Sequence, residues 1–410
     1  MHDAFIRLVA KSLREERFAL IDVGCSGGIE PIWRLFGDRF AAIGFDASAS
    51  ECRRLIAEET SPNVHYISGF VGIAPDHPFA RRTEGLPPFD NNFFLRTGAA
   101  WALDLRAKAL SDASDREKML HNVWMDTELA DANKPVFVSE ALKEFGFDSV
   151  DFLKIDIDGP DFQVLNSLDG AFEKLGILGV RLEVNMFGGT GDTTHTFHNT
   201  DRFMRQRGYV LARLDNRSYS MSALPSRFAI TMPGQSVRGR IFQAEAFYAR
   251  DLAAEQSKPL ADSMSTEKLA KLAAIFSAWE QPDAAAELLL KFRDRLSALF
   301  DVDEALDMLA AQTQFADGDK DEVEILSYRD YMNLFVTKPA EFYPVEPEPV
   351  VTKPRLRDRL DAAWTALNDI TYIHQLKQNR ARWRMLDEKR KARDARQRDG
   401  GRMPLHEAKK

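Results

Sequence analysis

Three short segments carry residues that could do chemistry together: Ile21-Asp22-Val23-Gly24-Cys25-Ser26-Gly27-Gly28, Gly44-Phe45-Asp46-Ala47-Ser48, and Lys154-Ile155-Asp156-Ile157-Asp158-Gly159-Pro160-Asp161. In the first, an apolar run ends in an aspartate and turns on glycines at 24, 27 and 28. Glycines there let the backbone pass close to a ligand without a side-chain clash. In open α/β sheets, ligands lie beyond the carboxyl ends of the strands, at turns of this kind. A dinucleotide turn, G-x-G-x-x-G, aligned on Gly24 and Gly27 needs glycine at position 22. Asp22 stands there instead. A carboxylate repels a pyrophosphate but can help hold the ammonium of a methionine moiety, so the turn points to S-adenosylmethionine (SAM) rather than NAD or FAD.

Asp46 ends the next apolar run, where a carboxylate can accept hydrogen bonds from both ribose hydroxyls. The plainer alternative is a turn or helix-cap aspartate before Ala47-Ser48. Ser26, Ala47, Gly69 and Phe70 join Asp22, Gly24, Gly27, Gly28 and Asp46 as candidate cofactor contacts. The third segment puts Lys154, Asp156 and Asp158 at the end of a buried strand. Buried charges there need partners or a function. Lys154 and Asp156 share one side of an extended strand and can pair with each other.

These residues need a scaffold of alternating strands and helices. Phe18–Val23, Phe40–Asp46 and Val64–Ile67 read as short buried strands, with a helix over residues 50–59 between the last two. Residues 1–20 read as a helix leading into the first strand. Residues 75–130, with Pro75, Pro78, Pro87 and Pro88, read as an insertion forming a lid or substrate loop. Regularity returns at Val136–Val138, followed by a helix to Phe145, a strand over 150–156 and a helix over 161–168. A strand over 179–184, a helix over 200–207 and a strand over 209–214 follow, with loop and strand over 218–232. This alternation predicts an α/β fold, a parallel sheet with helices on both faces, filling residues 1–250.

Beyond it lies a helical C-terminal region. Over 255–335, Leu269, Leu272, Ala273, Phe276, Ala284, Leu288 and Phe292 follow helical spacing, with Gln281-Pro282-Asp283 as a turn. One such hairpin loosely resembles a tetratricopeptide unit, without repetition. Residues 338–354 hold five prolines and read as an extended linker. Residues 355–410 form a basic tail with a helical stripe of Leu356, Leu360, Trp364, Leu367 and Ile370, suited to a protein partner or self-association.

Composition narrows the classes. The 410 residues are 44% hydrophobic and 29% charged, as in a globular chain with a real core. No apolar run reaches membrane-spanning length, and the N-terminus lacks a signal-peptide pattern. Two cysteines, Cys25 and Cys52, make neither a disulfide framework nor a zinc site, which leads us to expect a cytoplasmic protein. The net charge of −8 hides an asymmetry, since residues 353–410 hold 17 Lys and Arg against 8 Asp and Glu. Such a tail meets a nucleic acid, an anionic lipid or an acidic partner, or simply forms a solvated helical surface.

The segments at 21–28, 44–48 and above all Val150-Asp151-Phe152-Leu153-Lys154-Ile155-Asp156-Ile157-Asp158-Gly159 resemble the FkbM family of methyltransferases. That family carries a strand D-x-L-K-I-D-V-E-G followed by a helix ending in V-L, here Val164-Leu165. The resemblance spans roughly residues 18–232. It implies a class I Rossmann-like methyltransferase sheet, SAM as donor, and usually O-methylation of a sugar or polyketide hydroxyl. Asp46 and Asp158 stand where the family more often has glutamate, one methylene longer.

Methyl transfer to a hydroxyl needs alignment and removal of a proton. Asp156 and Asp158 are the candidate bases, with His195 and His198 on the polar loop 188–200 as second choices. Asp156, Glu183 and Asn185 end adjacent strands and are oxygen ligands suited to Mg²⁺. Against that, Glu183 can pair with Lys154 or Arg181. Phe89, Phe93, Phe94, Trp101 and Trp124 can stack on a sugar face, or simply pack. Two other functions compete: a catalytically inert scaffold acting through the basic C-terminus, and a nucleic-acid methyltransferase. The first conflicts with the intact Asp22, Gly24, Gly28 and Asp46. The second lacks the N/D-P-P-Y/F signature.

Overall fold

A computed structural model describes residues 2–83, 92–102, 128–131, 133–157, 159–230, 234–317 and 325–342. Asp158, Phe89, Trp124, much of the expected 75–130 insertion, nearly all of the Pro-rich linker and the whole basic tail lie outside these residues. Met1–Lys338 form one compact unit and Pro339–Lys410 a second. Of the second, the turn Pro339–Phe342 is described.

The strands are β1 Phe18–Val23, β2 Phe40–Asp46, β3 Val64–Ser68, β4 Phe152–Ile155, β5 Gly179–Asn185, β6 Tyr209–Tyr219 and β7 Arg240–Arg250. They form one seven-stranded sheet in the order β3-β2-β1-β4-β5-β7-β6. The first five run parallel, whereas β7 is antiparallel to both β5 and β6. This is the expected Rossmann-like methyltransferase sheet, with one correction to an all-parallel reading. β7 has no counterpart in the sequence-based series, yet it inserts between β5 and β6. Its Ile-Phe-Gln-Ala-Glu-Ala-Phe-Tyr run does alternate, which is a usable strand signal.

The helices of the sheet region are α1 His2–Ser12, α2 Ala49–Glu58, α3 Pro78–Thr83, α4 Asn92–Leu95, α5 Val138–Glu144, α6 Asp161–Ser167, α7 Phe172–Leu175 and α8 Phe197–Gln206. The C-terminal ones are α9 Lys258–Ser263, α10 Thr266–Ala278, α11 Pro282–Lys291, α12 Arg293–Leu296, α13 Val302–Asp317 and α14 Tyr328–Thr337. Local chemistry sets several starts. The Ser48 and Ser265 side chains accept from Glu51 N and Lys268 N, capping α2 and α10.

Period-2 alternation sends β1 side chains to two cores. Ile21 and Val23 join α5, α6 and α8 on one face, around Phe162, Phe172, Phe203 and Tyr248. Phe18 and Leu20 join α1 and helices α10–α13 on the other, with Trp33, Phe36, Phe152 and Phe247. The C-terminal helices thus complete the core of that face. A buried ion cluster fastens them there. Asp151, beside β4, accepts from Lys268 Nζ at 2.7 Å and from Lys271 Nζ, which also reaches Glu16 at 2.6 Å. Asp151 and Lys271 are both fully buried.

Candidate active site

β1, β2, β4 and β5 end at one edge of the sheet, and the candidate residues gather there. Asp22 is 1% exposed and its carboxylate accepts from Lys154 Nζ at 3.0 Å. Lys154 therefore pairs with Asp22 and not with Asp156, because Asp22 and Lys154 are direct register partners on neighbouring strands. The same ammonium donates to the Gly24 carbonyl at 3.3 Å, so it stitches the end of β1 to the turn. Burial pushes the Asp22 carboxyl up to about 6, even though Lys154 opposes the shift.

The glycine turn is built for close approach. Gly24, at φ +91, presses on the loop after β4, where a Cβ would sit 1.9 Å from the Asp156 carbonyl oxygen. Gly24 N and Cys25 N both donate to Phe45 O, which ties the turn to β2. Gly27 also has positive φ, and an added Cβ there would meet open space, so its backbone borders a free volume. Glu51 of α2 accepts from Gly27 N at 2.9 Å, a support the sequence pattern did not single out.

Asp46 is half-buried and accepts from Ser48 N at 2.7 Å and from the Ser26 backbone N–H. Burial raises its carboxyl above the usual range, with those N–H groups opposing. It does act as a turn aspartate, and it also bridges the glycine turn to the start of α2. Ala47 O accepts from Ala130 N, Gly69 N donates to Asp46 O, and Phe70 O accepts from Val136 N. Ser26, Ala47, Gly69 and Phe70 therefore line one rim with Asp46, with Phe70 exposed on it.

Asp156 is half-buried, and among the described residues its carboxylate has no hydrogen-bond partner. Lys154 and Arg217 both lie within its electrostatic reach. Glu183, 2% exposed, takes its partners from Arg217 at 2.7 Å and from Gln243, in place of either Lys154 or Arg181. Arg181 instead binds Glu30 at 2.6 Å and Glu245, and Arg217 also reaches Glu245. Burial pushes the Glu245 carboxyl up, yet Arg181 and Arg217 hold it below the usual range. Trp279, at the end of α10, lies under the Arg181 guanidinium at 4.4 Å. This ladder spans β5, β7 and β6, and it depends on the strand that sequence reading missed.

The ladder also engages the Glu183 carboxylate of the set suited to Mg²⁺. Glu183 is neutralised by Arg217, Asn185 turns its amide towards His195, and no group of three or more His, Cys, Asp or Glu that could hold a metal forms among the described residues. His195 is 7% exposed, not a mobile loop side chain. Its Nδ1 lies 2.7 Å from Gly159 O and its Nε2 2.9 Å from Glu183 O. The ring thus spans the two backbone carbonyls, one at each nitrogen. Asp161 beside it is fully buried, which raises its carboxyl above the usual range, and it accepts from Ile157 N and Gly159 N. His195 thus clamps the loop after β4 to β5. His198 is exposed and bonds Thr196 at 3.1 Å.

Aromatic side chains cluster beside this edge. Phe93 and Phe94 of α4 pack with Phe187, Tyr219 and Phe242, the closest pair being Phe187 and Phe242 at 4.4 Å. Trp101 is 48% exposed and stands apart from that cluster. A separate cavity of about 420 Å³ among the C-terminal helices shares no lining residue with the strand ends, and its Lys258 and Lys291 are already paired with Asp262 and Glu255.

The sheet order, with ligand-type turns gathered at one carboxyl edge, defines a Rossmann-like methyltransferase fold. Residues 136–211 match the family model described as the Methyltransferase FkbM domain, which takes in the 150–159 segment. The match is narrower than the motif resemblance, as it leaves out β1 to β3. No curated protein matches the chain. Among solved structures, the chain is similar to a SAM-dependent methyltransferase from Aquifex aeolicus, at 8% identity and a TM-score of 0.25, covering 60% of this chain and 88% of that one. It is also similar to magnesium protoporphyrin IX methyltransferase from Synechocystis PCC 6803, at 9% identity and a TM-score of 0.22, covering 61% and 77%.

Proposed function

We propose that this chain is a SAM-dependent methyltransferase acting on a hydroxyl of a sugar, polysaccharide or related secondary metabolite. The observation that carries the reading is the cradle at the end of β1. There, Gly24 packs on the Asp156 carbonyl, Lys154 locks Asp22 to the turn, and Asp46 presents a carboxylate at the rim. The open space beside Gly27 fits a ligand lying along the turn.

Bound SAM supplies an electrophilic methyl group on a sulfonium. Asp22 and Lys154 hold the shape of the turn for the methionine end. Asp46 offers carboxylate oxygens to ribose hydroxyls, and Ala47, Gly69 and Phe70 flank the base. Asp156 takes the proton from the acceptor hydroxyl, with Asp158 as the other candidate in the same loop. His195 holds that loop in place and is a positioning residue. The half-buried aromatics Phe93, Phe187 and Tyr219 form a wall suited to a sugar face. The two cysteines are free and buried, in keeping with a reducing cytoplasm, and we assign the basic tail to a protein partner or self-association.

Calorimetry tests the cofactor. SAM should bind with low-micromolar or tighter affinity, and Asp46→Ala should weaken it about 10-fold or more. No binding heat, or binding unchanged in the variant, overturns the reading. Labelled SAM incubated with fractionated glycans then identifies the acceptor, and Asp156→Asn should lower methyl incorporation well beyond any loss of SAM affinity.

A further inference from the structure

Between β6 and β7 the chain makes an excursion that the catalytic reading does not use. It pairs as a small hairpin, with Phe228 opposite Ser236, Ala229 N donating to Gln235 O, and Val237 N donating to Arg227 O. Ser236 is buried, and its hydroxyl bonds Ser220. Phe228 and Ser236 therefore face inward, and alternation turns their neighbours Arg227 and Val237 outward. The base is fixed to the body, since Gly98 N donates to Ser220 O and Gly239 lies against the Tyr219–Ser220 backbone.

The excursion and the start of β7 expose both apolar and cationic side chains. Leu224 is 85% exposed, Val237 65% and Ile241 47%. Arg227, Arg238 and Arg240 are exposed, and none has an ion pair among the described residues. From Asn216 to Ala244 the sequence holds no Asp or Glu, in a chain of net charge −8. The surface thus combines large aliphatic side chains with an uncompensated local positive charge, and it stands at the edge of the sheet where Tyr219 and Phe242 border the acceptor side of the site.

We propose that this excursion is a docking surface for an anionic bilayer, which brings the acceptor edge of the sheet towards the membrane surface. Arginines meet lipid phosphates while Leu224 and Val237 enter the headgroup boundary, the division of labour of interfacial segments. The exposed apolar side chains here are aliphatic, without the aromatic anchors that often centre protein interfaces. The bilayer docking stands independently of the methyltransferase reading, whereas the naming of the nearby sheet edge as the acceptor edge rests on it.

The test uses the full-length chain with Leu224→Cys carrying an environment-sensitive dye; the native Cys25 and Cys52 are buried. Vesicles of phosphatidylcholine mixed with phosphatidylglycerol should pellet the protein and shift the dye emission to the blue. Vesicles of phosphatidylcholine alone should do neither. Arg227→Gln, Arg238→Gln and Arg240→Gln combined should weaken vesicle binding about 10-fold or more, and added salt should weaken the wild type. That variant should keep its melting temperature and its SAM binding, which separates this surface from the cofactor site. Equal vesicle binding by wild type and triple variant overturns the proposal and transfers the binding to the basic tail. Absence of a dye shift overturns it too, as does arginine-dependent binding of single-stranded RNA without vesicle binding.

Discussion

Burial lifts the Asp22 carboxyl to about 6 while the Lys154 ammonium lies 3.0 Å away. Because the folded-state value lies above the ordinary 3.8, the folded protein holds this proton more tightly than the unfolded chain does. The stability it contributes is full below about 4 and is lost as pH rises through about 6. Cofactor binding should run the other way, since ionised Asp22 is the form that holds Lys154 at the turn. SAM affinity is expected to fall about 10-fold between pH 7 and pH 5. Asp22→Asn should bind weakly with a flat profile, and calorimetry across that range checks both. Melting curves supply the opposite slope, with the wild type losing stability relative to Asp22→Asn from pH 4 to pH 7. Equal slopes in the two proteins would show that Asp22 does not titrate in this window. Asp22 itself was legible in the sequence, from its place before Gly24. Its partner was not, because Lys154 lies 132 residues away and becomes a neighbour through the β1–β4 register.

Among the elements, the loop between β4 and α6 depends on a side chain that arrives from the far side of β5. His195 bridges Gly159 O and Glu183 O, and Asp161 gathers the Ile157 and Gly159 amides. Removing the imidazole takes away the ring that bridges the two carbonyls beside Asp161. In His195→Ala we expect hydrogen exchange to quicken at residues 157–162 while β1 and β2 keep their protection. Turnover should drop about 10-fold or more with SAM affinity little changed, as loss of positioning alone would give. Unaltered exchange in the loop would remove His195 from this role. The sequence marked His195 as a candidate from its polar, Gly- and Thr-rich loop. That composition reads as solvated, and burial came from the packing of the loop onto β5. β7 was missed for a related reason: an alternating run with a charged residue at its centre reads as weakly apolar until Glu245 finds Arg181 and Arg217.

At the scale of the molecule, the sheet and helices α10–α13 share one core, fastened by Asp151, Lys268, Lys271 and Glu16. Asp151 lies within the segment that resembles the FkbM motif, yet its carboxylate serves α10 and not the cofactor edge. Removing one member of a buried ion cluster strands the others, at a cost of about 3–5 kcal/mol. Asp151→Ala should lose about that much stability in a denaturant titration. Fluorescence and circular dichroism should still follow one transition in the wild type, since neither the sheet face nor the helices can stay dry alone. Two separated transitions would mean that the helices form an independent unit. Among the described residues, no helix is long and apolar enough to cross a membrane.

The sequence alone determined the strand and glycine turn at Asp22–Gly28, the carboxylate at the end of β2, the Lys154–Gly159 strand end and the helical character of 255–335. Each is a local pattern, since strand periodicity, glycine turns and capping residues act over a few positions. Tertiary structure alone decided the partners: Lys154 on Asp22, Arg217 on Glu183, His195 between two carbonyls, and Trp279 under Arg181. Buried charges must be neutralised, and which opposite charge does so depends on strand order and register, which no local run of residues encodes.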